Sequence, residues 1–186
     1  MKKLNSILCA LFAFICLLFS CSCSIKEELT TLELAMVGTW ELVEIRSQYK
    51  SYSMNNDGSL SVVDSYQYSY PNNEVGDGDS ATDRLFEELV EKYWDRTEFL
   101  FKDNKKDGYM DGGLIIGDTE QVFSWRESSS GISVGGIHFD IIFEGKILSQ
   151  SIEGYGNAFL CSKDQIIVGL RDGYYSTTYI FEKESL

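Results

Sequence analysis

From residue 97 to residue 183 apolar and polar side chains alternate with a period of two, the spacing of strands that bury one face and wet the other. Thr97, Phe99 and Phe101 oppose Glu98, Leu100 and Lys102, and Gln121, Phe123 and Trp125 oppose Val122, Ser124 and Arg126. Ile137, Phe139, Ile141 and Phe143 repeat the pattern, followed by Ile166, Val168 and Leu170 and then by Thr177, Tyr179 and Phe181. Turn residues separate the runs at Lys106-Asp107-Gly108, Ser130-Gly131, Glu144-Gly145, Glu153-Gly154 and Asp172-Gly173, so each strand is expected to fold back on the one before. Over Ser80 to Trp94 the period becomes helical, with Leu85, Phe86, Leu89, Val90, Tyr93 and Trp94 on one stripe. A short helix is expected near 30–36, where Thr30 and Glu33 stand at capping-box spacing and Leu29, Leu32 and Met36 share a face. The expected fold is mainly β: an antiparallel up-and-down arrangement of about eight strands. A sandwich or a closed barrel satisfies the pattern, and closure would leave no unpaired edge.

Residues 47–79 are longer and more polar than a simple connection between the first two strands. Tyr49, Tyr52, Tyr66, Tyr68 and Tyr70 lie there among Ser, Asn and Gly, and Asn56-Asp57-Gly58 is a turn able to fold the segment into a hairpin. Tyr offers a large contact area for little lost rotamer freedom, so these five residues are candidates for an interaction surface. The plainer expectation is a hairpin that extends the first two strands.

The N-terminus has its own pattern. Lys2 and Lys3 precede a charge-free apolar run from Ile7 to Phe19, too short for a bilayer core that needs about 20 residues. Leu18-Phe19-Ser20-Cys21 resembles a bacterial lipoprotein processing site, with Leu three residues before the cysteine and a small residue just before it. The resemblance implies that residues 1–20 are a removed signal peptide and that Cys21 carries the lipid. Residues 21–29 are then a tether and 30–186 the folded domain. It implies an outer-membrane anchor, at the cell surface or the periplasmic face. Lys26-Glu27-Glu28 is similar to the acidic export signal of Bacteroidetes surface lipoproteins, and reads equally well as a solvated charge run.

Charge limits the partners. Sixteen Lys and Arg against 29 Asp and Glu give a net charge of −13, which excludes a basic footprint for nucleic acid and disfavours adsorption to anionic head groups. The membrane contact is therefore expected to run through the lipid on Cys21, and stable anchoring takes more than one acyl chain. Apart from Cys21, the expected mature chain keeps only Cys23 and Cys161, too few for a disulfide framework.

Val37-Gly38-Thr39-Trp40-Glu41-Leu42 resembles the Gly-x-Trp opening of lipocalin-like proteins. The stretch from Phe159-Leu160-Cys161 through Lys163–Val168 to Thr178–Lys183 is similar to the closing strands of small lipocalin-like lipoproteins of Bacteroidetes. The resemblance implies an eight-stranded barrel with Trp40 plugging one end. Such a barrel holds either its own side chains or one small ligand. Trp40, Phe99, Phe101, Phe123, Trp125, Phe139 and Phe181 are the expected inward residues and the candidates to line a site for a small apolar or amphipathic ligand.

Catalytic constellations are not expected. His138, the single histidine, stands two residues from Asp140 on a polar strand face, with no nucleophile placed beside it by motif; a solvated pair is expected. One histidine and scattered thiols do not make a zinc site. Asp103-Asn104-Lys105-Lys106-Asp107-Gly108 echoes a calcium loop, but Lys105 occupies a ligand position and Leu114 stands where the bidentate Glu belongs. No metal, cofactor or enzymatic activity is expected. Two readings stay open: a ligand-binding barrel at the membrane, or a filled barrel acting as a surface interaction module through residues 47–79.

Overall fold

A computed structural model describes residues 27–72, 80–154 and 159–185; the signal and lipidation segment, with Cys21 and Cys23, lies outside the described residues. The elements in chain order are α1 (Thr31–Met36), β1 (Gly38–Met54), β2 (Leu60–Tyr70), α2 (Ser80–Tyr93), β3 (Thr97–Phe101), β4 (Met110–Ile116), β5 (Thr119–Ser128), β6 (Gly131–Phe143), β7 (Lys146–Gly154), β8 (Phe159–Cys161), β9 (Gln165–Asp172) and β10 (Tyr175–Lys183). Both expected helices form. Thr30 caps α1, with its hydroxyl accepting from the Glu33 N–H and the Glu33 carboxylate accepting from the Thr30 N–H.

All strands belong to one antiparallel sheet in the order β7-β6-β5-β4-β3-β1-β10-β9-β8, with β2 on β1 beside this path. The sheet is not closed into a barrel, which corrects the expected closure: among the described residues β7 and β8 do not pair. Two features set this outcome. Strand β1 shares one edge between β3, through Gly38–Glu41, and β2, through Ile45–Met54. Strand β6 pairs with β5 only over Gly131–Val134, and the rest of it leaves that ladder. The sheet still curls, because the second half of β6 comes to rest against β10. There the Tyr179 hydroxyl donates to the Asp140 carbonyl at 2.9 Å and the Ile142 N–H donates to Thr177 Oγ1 at 3.3 Å.

A register shift between Leu42 and Glu44 places an extra residue in β1 and changes which residues face inward. Trp40 and Leu42 point into the core before it; Ile45 and Ser47 do so after it. Helix α1 covers the base of the curl. The Trp40 indole N–H donates to the Met36 carbonyl at 2.9 Å, and Lys183 Nζ donates to the Ala35 carbonyl at 2.7 Å. Helix α2 lies between β2 and β6, stacking Phe86 on Tyr68 and Tyr93 on Phe139.

Candidate functional site

The seven residues expected inside are all buried: Trp40, Phe99, Phe101, Phe123, Trp125, Phe139 and Phe181 are 0–4% exposed. They touch one another ring to ring. Phe99 meets Phe181 at 4.8 Å between centroids, Phe101 meets Trp125 at 5.0 Å and Phe123 at 5.5 Å, mostly edge to face. A lumen large enough for a ligand leaves its walls accessible to a water-sized probe. These walls are not accessible, so the aromatics fill the curl.

Where β6 departs from β5 the sheet opens a cleft of about 400 Å³ lined by Lys92, Ile116, Thr119, Gln121, His138, Asp140 and neighbours. The departing edge of β6 is finished by side chains. Gln121 imitates a peptide unit, its amide N–H donating to the His138 carbonyl at 3.1 Å and its Oε1 accepting from the His138 N–H at 2.8 Å. The Asp140 N–H donates to the Tyr93 hydroxyl at 3.1 Å. The expected solvated pair is thus only half right. His138 is exposed, whereas Asp140 is 4% exposed and held by Lys92 Nζ at 2.5 Å. Burial and the nearby Asp140 carboxylate push the Tyr93 hydroxyl far above its ordinary range. Burial does the same to Tyr179, aided by Tyr93 and Asp140, so both phenols stay protonated.

At the other side of the molecule β1 and β2 run past the sheet. The last β1–β10 pair is Tyr49↔Tyr175, yet β1 continues to Met54, still paired with β2 through Met54↔Leu60. Five residues of β1 and, with one extra at the register shift, six of β2 therefore project, about 16 Å along β1 at 3.2–3.4 Å per residue. Tyr52 pairs with Val62 and Met54 with Leu60, so these four apolar side chains share one face of the ribbon. They are 45%, 52%, 73% and 65% exposed respectively. Tyr174 extends the face, 6.2 Å from Tyr52 between rings. Beside it runs a shallow groove of about 810 Å³ whose walls include Gln48, Lys50, Arg171 and Ser176.

No family model, curated protein or solved structure matches this chain.

Of the five tyrosines expected to form a contact surface, only Tyr52 is exposed. Tyr66 and Tyr68 are buried and Tyr49 and Tyr70 are half-buried. Tyr49 stacks on Tyr175 at 4.4 Å, Tyr66 packs on Tyr68 at 5.3 Å, and Tyr70 meets Trp94 edge-on at 4.5 Å. Burial pushes the Tyr66 hydroxyl up to about 12. The positions 66, 68 and 70 have the period of a single strand face, a signal that marks them as inward. Met54, Leu60 and Val62 are exposed apolar residues that composition did not point to.

The failed calcium loop has a different role. Lys105, in the third ligand position, reaches Glu33 at 2.9 Å, and the Gly108 N–H donates to Glu27 at 3.1 Å, so this loop holds the start of the described chain. Burial raises the Glu33 carboxyl, but hydrogen bonds from the Thr30 N–H and Lys105 outweigh it and hold the group below the usual carboxylate range. Among the described residues no cluster of His, Cys, Asp and Glu is arranged to hold a metal ion. Cys161 is a free thiol that burial pushes up.

Proposed function

We propose that this protein is a lipid-anchored, non-enzymatic interaction module of lipocalin-like descent, held to the outer membrane through Cys21 and binding a protein partner with the outer face of the β1–β2 hairpin. The observation that carries this reading is the projecting apolar face of Tyr52, Met54, Leu60 and Val62, which a monomer gains nothing by exposing. The filled aromatic interior supports it over the ligand-carrying alternative. Lys50 and Arg171 border the adjacent groove in a chain of net charge −13. The matching partner surface is an apolar strip edged by carboxylates.

The up-and-down order of β3 to β7 and the position of Trp40 beneath α1 are in keeping with a lipocalin-like ancestry, with the seam between β7 and β8 unpaired among the described residues. The membrane-proximal end in this reading is the base, where residues 27–36 dock on the 103–109 loop. The hairpin tip lies at the opposite end of β1 from this base.

Deleting residues 48–70 would remove buried Tyr66 and Tyr68 and unfold the domain, so point changes at the tip are the better test. A photo-crosslinking aromatic residue in place of Tyr52, on the proposed contact face, is expected in cells to yield an adduct of defined mass that disappears in Met54→Asp/Leu60→Asp. That variant should melt within about 0.5 kcal/mol of the parent, since exposed substitutions rarely cost more. Cys21→Ser should move the protein out of the membrane fraction. An adduct that survives the double substitution would remove the hairpin from the mechanism, and unchanged partitioning of Cys21→Ser would remove the anchor.

A further inference from the structure

We propose that the cleft between β5 and β6 is a binding site for a small, neutral, polyhydroxylated molecule: a monosaccharide or a polyol. The cleft exists because the backbone makes it. The β5–β6 ladder ends at Trp125↔Val134, and the β6–β7 register shifts between Val134 and Ile137. Beyond that point β6 swings away from β5 and leaves a space of about 400 Å³, within the roughly 300–1,000 Å³ of ordinary ligand pockets.

The same geometry excludes a strand-forming peptide. The β6 edge in the opening already has its backbone groups occupied, by Gln121 at His138, by Tyr93 and Tyr179 at Asp140, and by Thr177 at Ile142. A peptide would have to displace these bonds to pair there. The side chains lining the space are then what a ligand meets.

Their chemistry selects for hydroxyls. Lys92 and Asp140 lie 2.5 Å apart and cancel each other's charge, so the wall offers neither a bare cation to an anion nor a bare carboxylate to a metal or amine. It offers a strong donor and a strong acceptor side by side, fixed in place because Asp140 is buried. A pair of neighbouring hydroxyls matches that arrangement, each able to donate to the carboxylate and to accept from the ammonium. Thr119 and Ser149 add hydroxyls at the rim and His138 adds an imidazole. Ile116 supplies an apolar patch for the C–H face of a sugar ring.

His138 is the chain's only histidine, so its imidazole C–H resonance is a single reporter inside the cleft. The mature protein would be titrated by NMR with glucose, galactose, mannose, N-acetylglucosamine and glycerol, and in parallel with inorganic phosphate. A saturable shift of the His138 resonance is expected with at least one of the neutral probes, at dissociation constants in the millimolar range typical of about −4 kcal/mol. At least tenfold weaker binding is expected in Lys92→Met and in the rim variant Thr119→Val/Ser149→Ala, which removes only exposed hydroxyls and leaves the fold intact. Three results would each overturn the assignment: no saturable shift with any neutral probe, a shift that persists unchanged in the rim variant, or tighter binding of phosphate than of every neutral probe.

Discussion

Phe99→Ala separates a packed interior from a ligand cavity. The Phe99 ring is fully buried and meets Phe101, Phe123, Phe139 and Phe181 at centroid separations of 5.8, 5.9, 6.1 and 4.8 Å. Losing a buried side chain of this size forfeits about 1.5–3 kcal/mol of transfer free energy. A residual cavity of roughly 60–100 Å³, at about 24 cal/mol per Å³, adds about 1.5–2.4 kcal/mol. The sum, about 3–5 kcal/mol, is a large share of the 5–15 kcal/mol typical of a domain, and corresponds to a drop in Tm of about 6–20 °C at this chain length. Urea unfolding of the mature chain, followed by tryptophan fluorescence and far-UV circular dichroism, would measure it, with the m-value expected to stay constant. Saturating benzene should restore part of the loss by filling the new dry cavity. A loss below about 1 kcal/mol would refute the filled interior, because it would mean that the ring already borders accessible space.

The remaining predictions concern the sheet and its base. A Cβ on Gly112 would lie 2.4 Å from Cζ of Phe123 and 3.0 Å from the Leu100 carbonyl oxygen, so Gly112→Ala should cost about 1–3 kcal/mol in the same unfolding assay, with a neutral result ruling out this packing. Glu33→Gln removes a charge-assisted bond to Lys105 and should cost about 1.5–3 kcal/mol at neutral pH. The sign with pH follows from the lowered carboxyl. The contribution of Glu33 is fully present above the ordinary value of 4.5 and is lost as pH falls through the lower folded-state value. The stability difference between parent and variant should therefore shrink in acid, and a difference that grew below pH 4.5 would reverse the assigned role.

Much of this architecture is legible in the residues, because alternation and capping are local. The period of two from Thr97 to Phe181 marks the strands, the stripe from Leu85 to Trp94 marks α2, and the Thr30–Glu33 spacing marks α1. Closure is not local. It depends on β1 dividing one edge between β3 and β2, and on β6 leaving β5 after Val134, events set by register shifts that no periodicity announces. Tyr66, Tyr68 and Tyr70 carry a readable inward period, but the composition around them suggested a contact surface. For Met54, Leu60 and Val62 the opposite holds: apolar residues in a strand read as buried, and only their place on the outer face, the face that carries Arg46, Gln48 and Lys50, leaves them in solvent. The cleft rests on Lys92 meeting Asp140 across 48 residues of chain, a contact invisible to any local pattern.

One consequence follows from the length of β1. The segment at the base enters this strand at Gly38 and the projecting tip leaves it at Met54, so a partner gripping the tip and an anchor upstream of residue 27 would pull on the two ends of one continuous peptide. Tension then travels from base to tip through covalent bonds. The flanking ladders to β3 and β10 run crosswise to that line and would resist sliding together rather than opening one bond at a time. The aromatic interior would sit beside the line of force, not across it, and a molecule built this way could be held under load without its core being asked to stretch.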